Sequence, residues 1–261
     1  MMRIFLRTER ARKHARNRIG TPKTSRKAMV EIEISGPGKN ALGTQLMAQL
    51  TERIDEANGA PLLFTGAGDA FSAGLNLKEV ASLDAEGMTA FLDRLVAFFR
   101  RVWLYPGPTV AAVNGHAIAG GCILAMCCDR SIATANPKAR IGLNEVALGL
   151  RFPPALLRFV KASVSPQNLT EVTLGARLYA PQEAAALGLI HAVSDDPKTD
   201  AAATLATLAR HPVDAYAAAK KDLRGGIMDA TAAEEEAFRA EVVPYWTSPE
   251  LKAMIASLLG G

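Results

Sequence analysis

Between Thr109 and Glu145 the chain reads TVAAVNGHAIAGGCILAMCCDRSIATANPKARIGLNE. The pair Gly120-Gly121 stands just ahead of an apolar segment, Cys122 to Cys128, whose composition predicts a helix. The first N–H groups of any helix have no partners within it. Glycines beside them let a ligand reach the main chain with no Cβ in the way. Developing negative charge would meet unpaired donors and the positive end of a helix there. The same spacing also suits a plain strand-to-helix turn in which glycine serves packing. Such a site does chemistry only with a group that moves a proton. By spacing alone, Asp69 and Glu79 read as turn and helix-surface residues, Asp129 as a structural acid at a helix end, and Glu145 as a capping or surface glutamate. Among the histidines, His116 sits in the turn, a pocket-wall position at most, and His14, His191 and His211 read as tail or loop.

The elements that must hold this turn follow from periodicity. VEIEIS after Met29 alternates apolar and polar, the pattern of a half-buried strand, and Gly36-Pro37-Gly38 ends it. Leu42, Leu46, Leu50 and Ile54 recur at helical spacing, and Pro61 to Thr65 reads as a second strand. DAFSAGLNLKEV reads as a loop centred on Gly74 that runs into a helix. Residues 87–103 form an amphipathic helix whose apolar set (Met88, Phe91, Leu92, Leu95, Phe98, Phe99, Val102) faces a core. Tyr105 to Pro108 break it before a short buried strand, Val110 to Val113. Beyond Glu145 the chain is Ala/Leu-rich and helical, with breaks at Pro153-Pro154, Pro166 and Pro181. Strands alternating with helices, then a helical final third, predict an α/β core with a helical appendix. The expected division is 1–27 as a basic extension, 28–195 as the core holding the site, and 196–261 as a helical C-terminal region.

Composition narrows the class. At 49% hydrophobic and 21% charged residues the chain is ordinary for a globular protein, and no apolar run of membrane-spanning length occurs. Cys122, Cys127 and Cys128 crowd one apolar segment, a poor disulfide framework that fits small buried side chains in a reducing compartment. The formal net charge of +4 is unevenly spread: residues 1–27 carry ten Lys/Arg and one acid, while the rest is mildly acidic. A segment so basic and so poor in apolar periodicity is expected to be disordered. It reads as an organelle transit peptide, as a basic arm for nucleic acid or an anionic membrane surface, or as sequence upstream of a working start at Met29. The expected compartment is the cytoplasm, or the mitochondrion should the segment be a transit peptide. The terminal LLGG is no peroxisomal address.

GAGDAFSAGLNLKE (66–79) and AAVNGHAIAGGCILA (111–125), in this order and separation, resemble the paired signature segments of the enoyl-CoA hydratase/isomerase (crotonase) superfamily. The likeness runs from KNALGTQLMAQL (39–50) to LGLIHAV (187–193). It implies an α/β fold, a spiral of β-β-α turns with C-terminal helices that assemble homotrimers or hexamers. It implies acyl-CoA thioesters as substrates, with no cofactor beyond the substrate's own coenzyme A and no metal. Two main-chain N–H groups would hold the thioester oxygen, those of Leu75 (after Ala73-Gly74) and of Gly120 in the turn with Gly121. Lys39, Asn40, Ala41 and Leu42 match the stretch lining the coenzyme A channel, and Lys220 and Lys221 lie where members carry a basic residue near its phosphates. Nucleic acid would enter only through residues 1–27.

The resemblance also discriminates between reactions. Family hydratases hold a water between two glutamates. The position of the first is Ile123, which neither accepts a proton nor positions water; the second is Glu145, at the end of IGLNE. One carboxylate suffices to carry a proton from C2 to C4 of a 3-enoyl thioester, and IGLNEVALGL with the following FPP is similar to the Δ3,Δ2-enoyl-CoA isomerase branch. The dienoyl isomerases carry a further acid where this chain has Pro153. Two departures stand out. Asn76 replaces a frequent aspartate, and members usually show two strands before the KNAL-like segment where this chain offers one.

Overall fold

A computed structural model describes residues 27–260 of the chain. The basic extension therefore lies outside the described residues, Lys27 excepted.

The chain begins with β1 (Val30–Ile34), a left-handed turn α1 (Pro37–Asn40) and α2 (Thr44–Glu56). It then makes three similar passes. The first runs through β2 (Leu62–Gly66), β3 (Ala70–Ser72), α3 (Leu77–Ser82) and α4 (Ala85–Trp103). The second runs through β4 (Thr109–Val113), β5 (His116–Ile118) and α5 (Gly120–Cys127). The third runs through β6 (Arg130–Thr134), β7 (Ile141–Gly142) and a 3-10 turn at Val146–Leu148, then α6 (Pro154–Ser163), α7 (Pro166–Thr173) and α8 (Pro181–Ala186). β8 (Ala192–Ser194) precedes four final helices: α9 (Pro197–Leu208), α10 (Val213–Arg224), α11 (Ala232–Trp246) and α12 (Pro249–Gly260).

Each pass gives one strand to each of two parallel sheets. The larger has the order β1-β2-β4-β6-β8 and the smaller β3-β5-β7. This is the α/β spiral of β-β-α turns that the sequence implies. Its strands are covered on both faces, so β2 and β4 are buried at every residue and read as continuous apolar runs. Alternation along them sorts the faces: Phe64, Ala111 and Val113 join the main core, while Leu63, Val110, Ala112 and Ile132 pack against Ala201 and Leu205 of α9. Burying each Leu, Ile, Val or Phe side chain among these contributes about 1.5–3 kcal/mol.

The loop expected over DAFSAGLNLKEV contains β3, and β5 and β7 also went unread, because two- and three-residue strands are too short to show a period. Helix α4 matches expectation: its apolar set is buried and Asp84 caps it by accepting from Gly87 N–H. Ahead of the 39–50 segment the described residues hold one strand, β1. No described helix is long and apolar enough to cross a membrane.

One buried ionic cluster ties α10 to the end of α5. Asp129 meets Lys220 Nζ at 2.8 Å and Arg224 Nη2 at 2.9 Å, and also accepts from Tyr216 Oη. The Arg224 guanidinium lies 3.8 Å from the centre of the Trp103 ring. Asp129 is thus the structural acid its position predicts. Lys220 is a correction: its side chain is buried and donates to Gly107 C=O and Asp129, so it is not available to coenzyme A phosphates. Burial pulls its pKa down to about 8 even with Asp129 beside it. Lys221 is exposed.

Candidate active site

The N-terminus of α5, the loop between β3 and α3, and the 3-10 turn after β7 converge on a cavity of about 210 Å³. Leu75, Gly120, Ile123 and Glu145, which the sequence placed in the site, all line it, as does Ala73.

Both expected donors are free. Leu42 and Leu75 form a parallel bridge in which Leu42 N–H donates to Gly74 C=O at 2.6 Å and Asn76 N–H donates to Leu42 C=O at 3.1 Å. A parallel bridge engages the groups flanking its central residue, so the Leu75 N–H faces away from Leu42. Gly120 opens α5, and its N–H falls among the four donors that no helix satisfies itself. Among the described residues neither amide has an acceptor. Ala119 precedes Gly120 at φ 48°, a strained setting for a side chain, held by its own N–H donating to Gly142 C=O at 2.8 Å. The two donors are neighbours: a Cβ added to Gly74 (φ +87°) would stand 2.7 Å from Ile118 C=O and 3.3 Å from Gly120 N. Only glycine fits there.

The bond from Ala119 to Gly142 also seats β7 beside this turn, which brings the next residues to the cavity. Glu145 N-caps the 3-10 turn, and its C=O accepts from Leu148 and Leu150 N–H. Gly149, at φ +66°, closes the turn. The Glu145 side chain is 8% exposed and its Oε2 has no partner among the described residues. Burial raises its pKa to about 7, against a smaller opposing pull from a backbone hydrogen bond. The neighbouring Cys122 is buried too, which pushes its thiol well up and leaves it inert.

Other expected site residues stand outside the cavity wall. Gly121 is a packing glycine: a Cβ there would lie 2.2 Å from Ser72 C=O, so it lets α5 approach β3. Asn40, at φ 61°, is buried and its Nδ2 donates to the carbonyls of Ala67 and Ala70. Lys39 is exposed and pairs with Asp69 at 2.8 Å, and Ala41 and Leu42 are buried behind the Gly74 loop. This stretch supports the donor loop through its backbone. Asn76 Oδ1 accepts from Glu79 N–H at 3.3 Å and caps α3, a task asparagine does as well as aspartate. The exchange therefore falls on a helix end. Glu79 accepts from Thr44 N–H at the start of α2. His116 is no pocket wall, since its Nδ1 accepts from Arg140 N–H.

Glu145 is thus the only acid among the described residues that line the cavity. Apart from Asn144, Arg151 and the Trp246 indole the remaining wall is apolar, with Leu95 and Phe99 from α4, Leu156 from α6 and Leu258 from α12. Sequence reading missed Asn144 and Trp246, which also line it. Asn144 stood in plain view beside Glu145, whereas nothing local distinguishes Trp246 from a core aromatic.

With this geometry in place the comparisons have a meaning. The enoyl-CoA hydratase/isomerase family profile matches residues 24–253, and the chain belongs to that family. The 2,3-dehydroadipyl-CoA hydratase of Escherichia coli is 32% identical over 71% of this chain and 74% of its own length. The mitochondrial enoyl-CoA delta isomerase 1 of Mus musculus is 26% identical over 70% of this chain and 65% of its own. Human mitochondrial delta3-delta2-enoyl-CoA isomerase superposes with a TM-score of 0.82 at 22% identity, covering 89% of this chain and 93% of that one, which establishes the shared fold. The chain spans about two thirds to three quarters of the length of these curated relatives.

Proposed function

We propose that the protein is an acyl-CoA enzyme that isomerises 3-enoyl-CoA to 2-enoyl-CoA. The observation that carries this reading is the single acid among the described residues that line the cavity: Glu145 faces a largely apolar wall in which Ile123 takes the place of a second carboxylate. The thioester oxygen sits between the Leu75 and Gly120 N–H groups. Glu145 takes a proton from C2, charge moves onto that oxygen, and the same carboxyl returns the proton to C4, leaving the double bond in conjugation. Pre-aimed donors stabilise the charge where it develops, and losing one costs about 3–4 kcal/mol of barrier. A carboxyl with a pKa of about 7 suits both halves of the transfer, since it gains and gives up the proton near neutrality. The largely apolar wall limits proton exchange between the intermediate and solvent.

Incubation with 3-hexenoyl-CoA, following the absorbance of the conjugated thioester, tests the reading. Turnover that disappears in Glu145→Gln is expected. Failure to turn over any chain length while thioester binding persists rules it out.

Hydration is the second reading, favoured by Asn144. Its Oδ1, like Glu145 Oε2, is buried without a partner among the described residues, and two unpartnered acceptors from the lining of one cavity suit a water. Crotonyl-CoA hydration that survives Glu145→Gln would favour a lyase using other groups.

A further inference from the structure

Trp246 is a donor that the chemistry above does not use. The side chain is 2% exposed, lines the same cavity as Glu145, and its Nε1 has no acceptor among the described residues. The other tryptophan sets the contrast: Trp103 Nε1 donates to Arg224 C=O at 3.3 Å. Buried indole N–H groups ordinarily find a partner, and one left unpaired is unfavourable.

Where Trp246 sits narrows what would satisfy it. Pro244 interrupts α11 two residues earlier, where a proline bends a helix. The adjoining Tyr245 packs on the turn that carries Glu145, its Oη 2.8 Å from where a Cβ of Gly149 would stand. The indole lines the same cavity as the base, on the side closed by α11. Apart from Glu145, the side-chain acceptor in the surrounding wall is Asn144 Oδ1, which makes no hydrogen bond to the indole, and Leu148, Leu150, Phe152, Pro153 and Leu156 offer none. Arg151, also in the lining, is exposed and already ion-paired with Glu241.

We infer that the acyl group this cavity takes carries an oxygen acceptor beyond the carbons that react, a ketone or carboxylate oxygen that receives the Trp246 Nε1–H. This rests on the reading of the cavity as an acyl site and names its substrate class: oxygen-bearing acyl chains over plain alkyl ones. A site built around such a donor discriminates because a plain chain leaves the N–H buried and unpaired.

The test uses the full-length protein and saturated thioesters, so no turnover is needed. Dissociation constants are measured for coenzyme A, hexanoyl-CoA, 5-oxohexanoyl-CoA and adipyl-CoA. At least one oxygen-bearing thioester should bind about fivefold or more tighter than hexanoyl-CoA, the range of one hydrogen bond to a neutral or charged acceptor. Trp246→Phe should erase that preference. With 15N-labelled indoles, the Trp246 resonance should shift on adding the preferred oxygen-bearing ligand and much less with hexanoyl-CoA, while Trp103, whose acceptor is internal, stays in place. No preference for either oxygen-bearing ligand, a preference that survives Trp246→Phe, or an unmoved Trp246 resonance overturns the inference. Hexanoyl-CoA binding no tighter than coenzyme A would instead overturn the acyl-site reading itself.

Discussion

Replacing Glu145 by glutamine should abolish turnover and at the same time stabilise the fold, and the two effects share one cause. In the folded protein burial lifts this carboxyl from 4.5 to about 7. At 1.36 kcal/mol per pKa unit, carrying the charge inside costs the native state roughly 3 kcal/mol once the group is ionised. The unfolded chain releases the proton near 4.5 and the folded chain near 7, so between those values the native state holds the extra proton. Stability from this residue is full below pH 4.5, declines as pH rises through that window and is gone above 7. Glutamine carries no charge and has no such decline. Thermal unfolding of both proteins from pH 5 to pH 8.5 at fixed ionic strength reads the difference directly, because every other titrating group is shared. The gap between their midpoints should widen toward alkaline pH by about 6–12 °C, taking roughly 2–4 °C per kcal/mol for a chain of this size. The wild-type kcat/KM should fall about tenfold per unit below pH 7, since the free enzyme must hold the base ionised. A midpoint gap that stays constant across the pH range would refute the argument, because the carboxyl would then ionise equally well in both states.

Gly74→Ala should lower kcat by about 10²–10³ through displacement of the Leu75 amide, since its Cβ would meet Ile118 C=O at 2.7 Å; steady-state kinetics with unchanged kcat would remove Leu75 from the mechanism. Ile123→Glu adds a second carboxylate to the cavity and should raise crotonyl-CoA hydration above wild type while lowering the unfolding midpoint. No gain in hydration would mean that Ile123 is not what withholds water chemistry. Asp129→Ala should cost about 3–5 kcal/mol in denaturant titration, because Lys220 and Arg224 are left buried without their partner. Asp69→Ala, which breaks only the exposed pair with Lys39, should leave the midpoint in place.

What the sequence revealed and what it withheld follow from the physics of each signal. Helix α4 announced itself because nineteen residues give a 3.6-residue period room to repeat. The buried strands β2 and β4 showed as apolar runs between turn residues. The smaller sheet stayed hidden, yet its β7 is what carries Glu145 to the donors. The Gly120-Gly121 turn was legible as backbone that a ligand or a packed neighbour could approach, while the Leu75 and Gly120 amides and Glu145 were assigned only through the likeness to family patterns. Lys220 misled for a simple reason: a lysine pair on a helix says nothing about which of its members an acid elsewhere in the chain has claimed. Trp246 lies 101 residues after Glu145, and no local pattern links them.

The roof over the catalytic groups is made last. Both amides and the carboxyl belong to the first 145 residues, whereas Trp246 and Leu258, which complete the enclosure, arrive with α11 and α12. A chain still on the ribosome, or one clipped after α10, would own the full reacting set inside an open trough. There the hydrogen that the proposed isomerisation shuttles would leak to bulk solvent and come back as deuterium in heavy water. Under the proposed isomerisation, fidelity of the transfer is conferred by helices that follow the reacting groups in the chain, through residues that never touch the migrating proton.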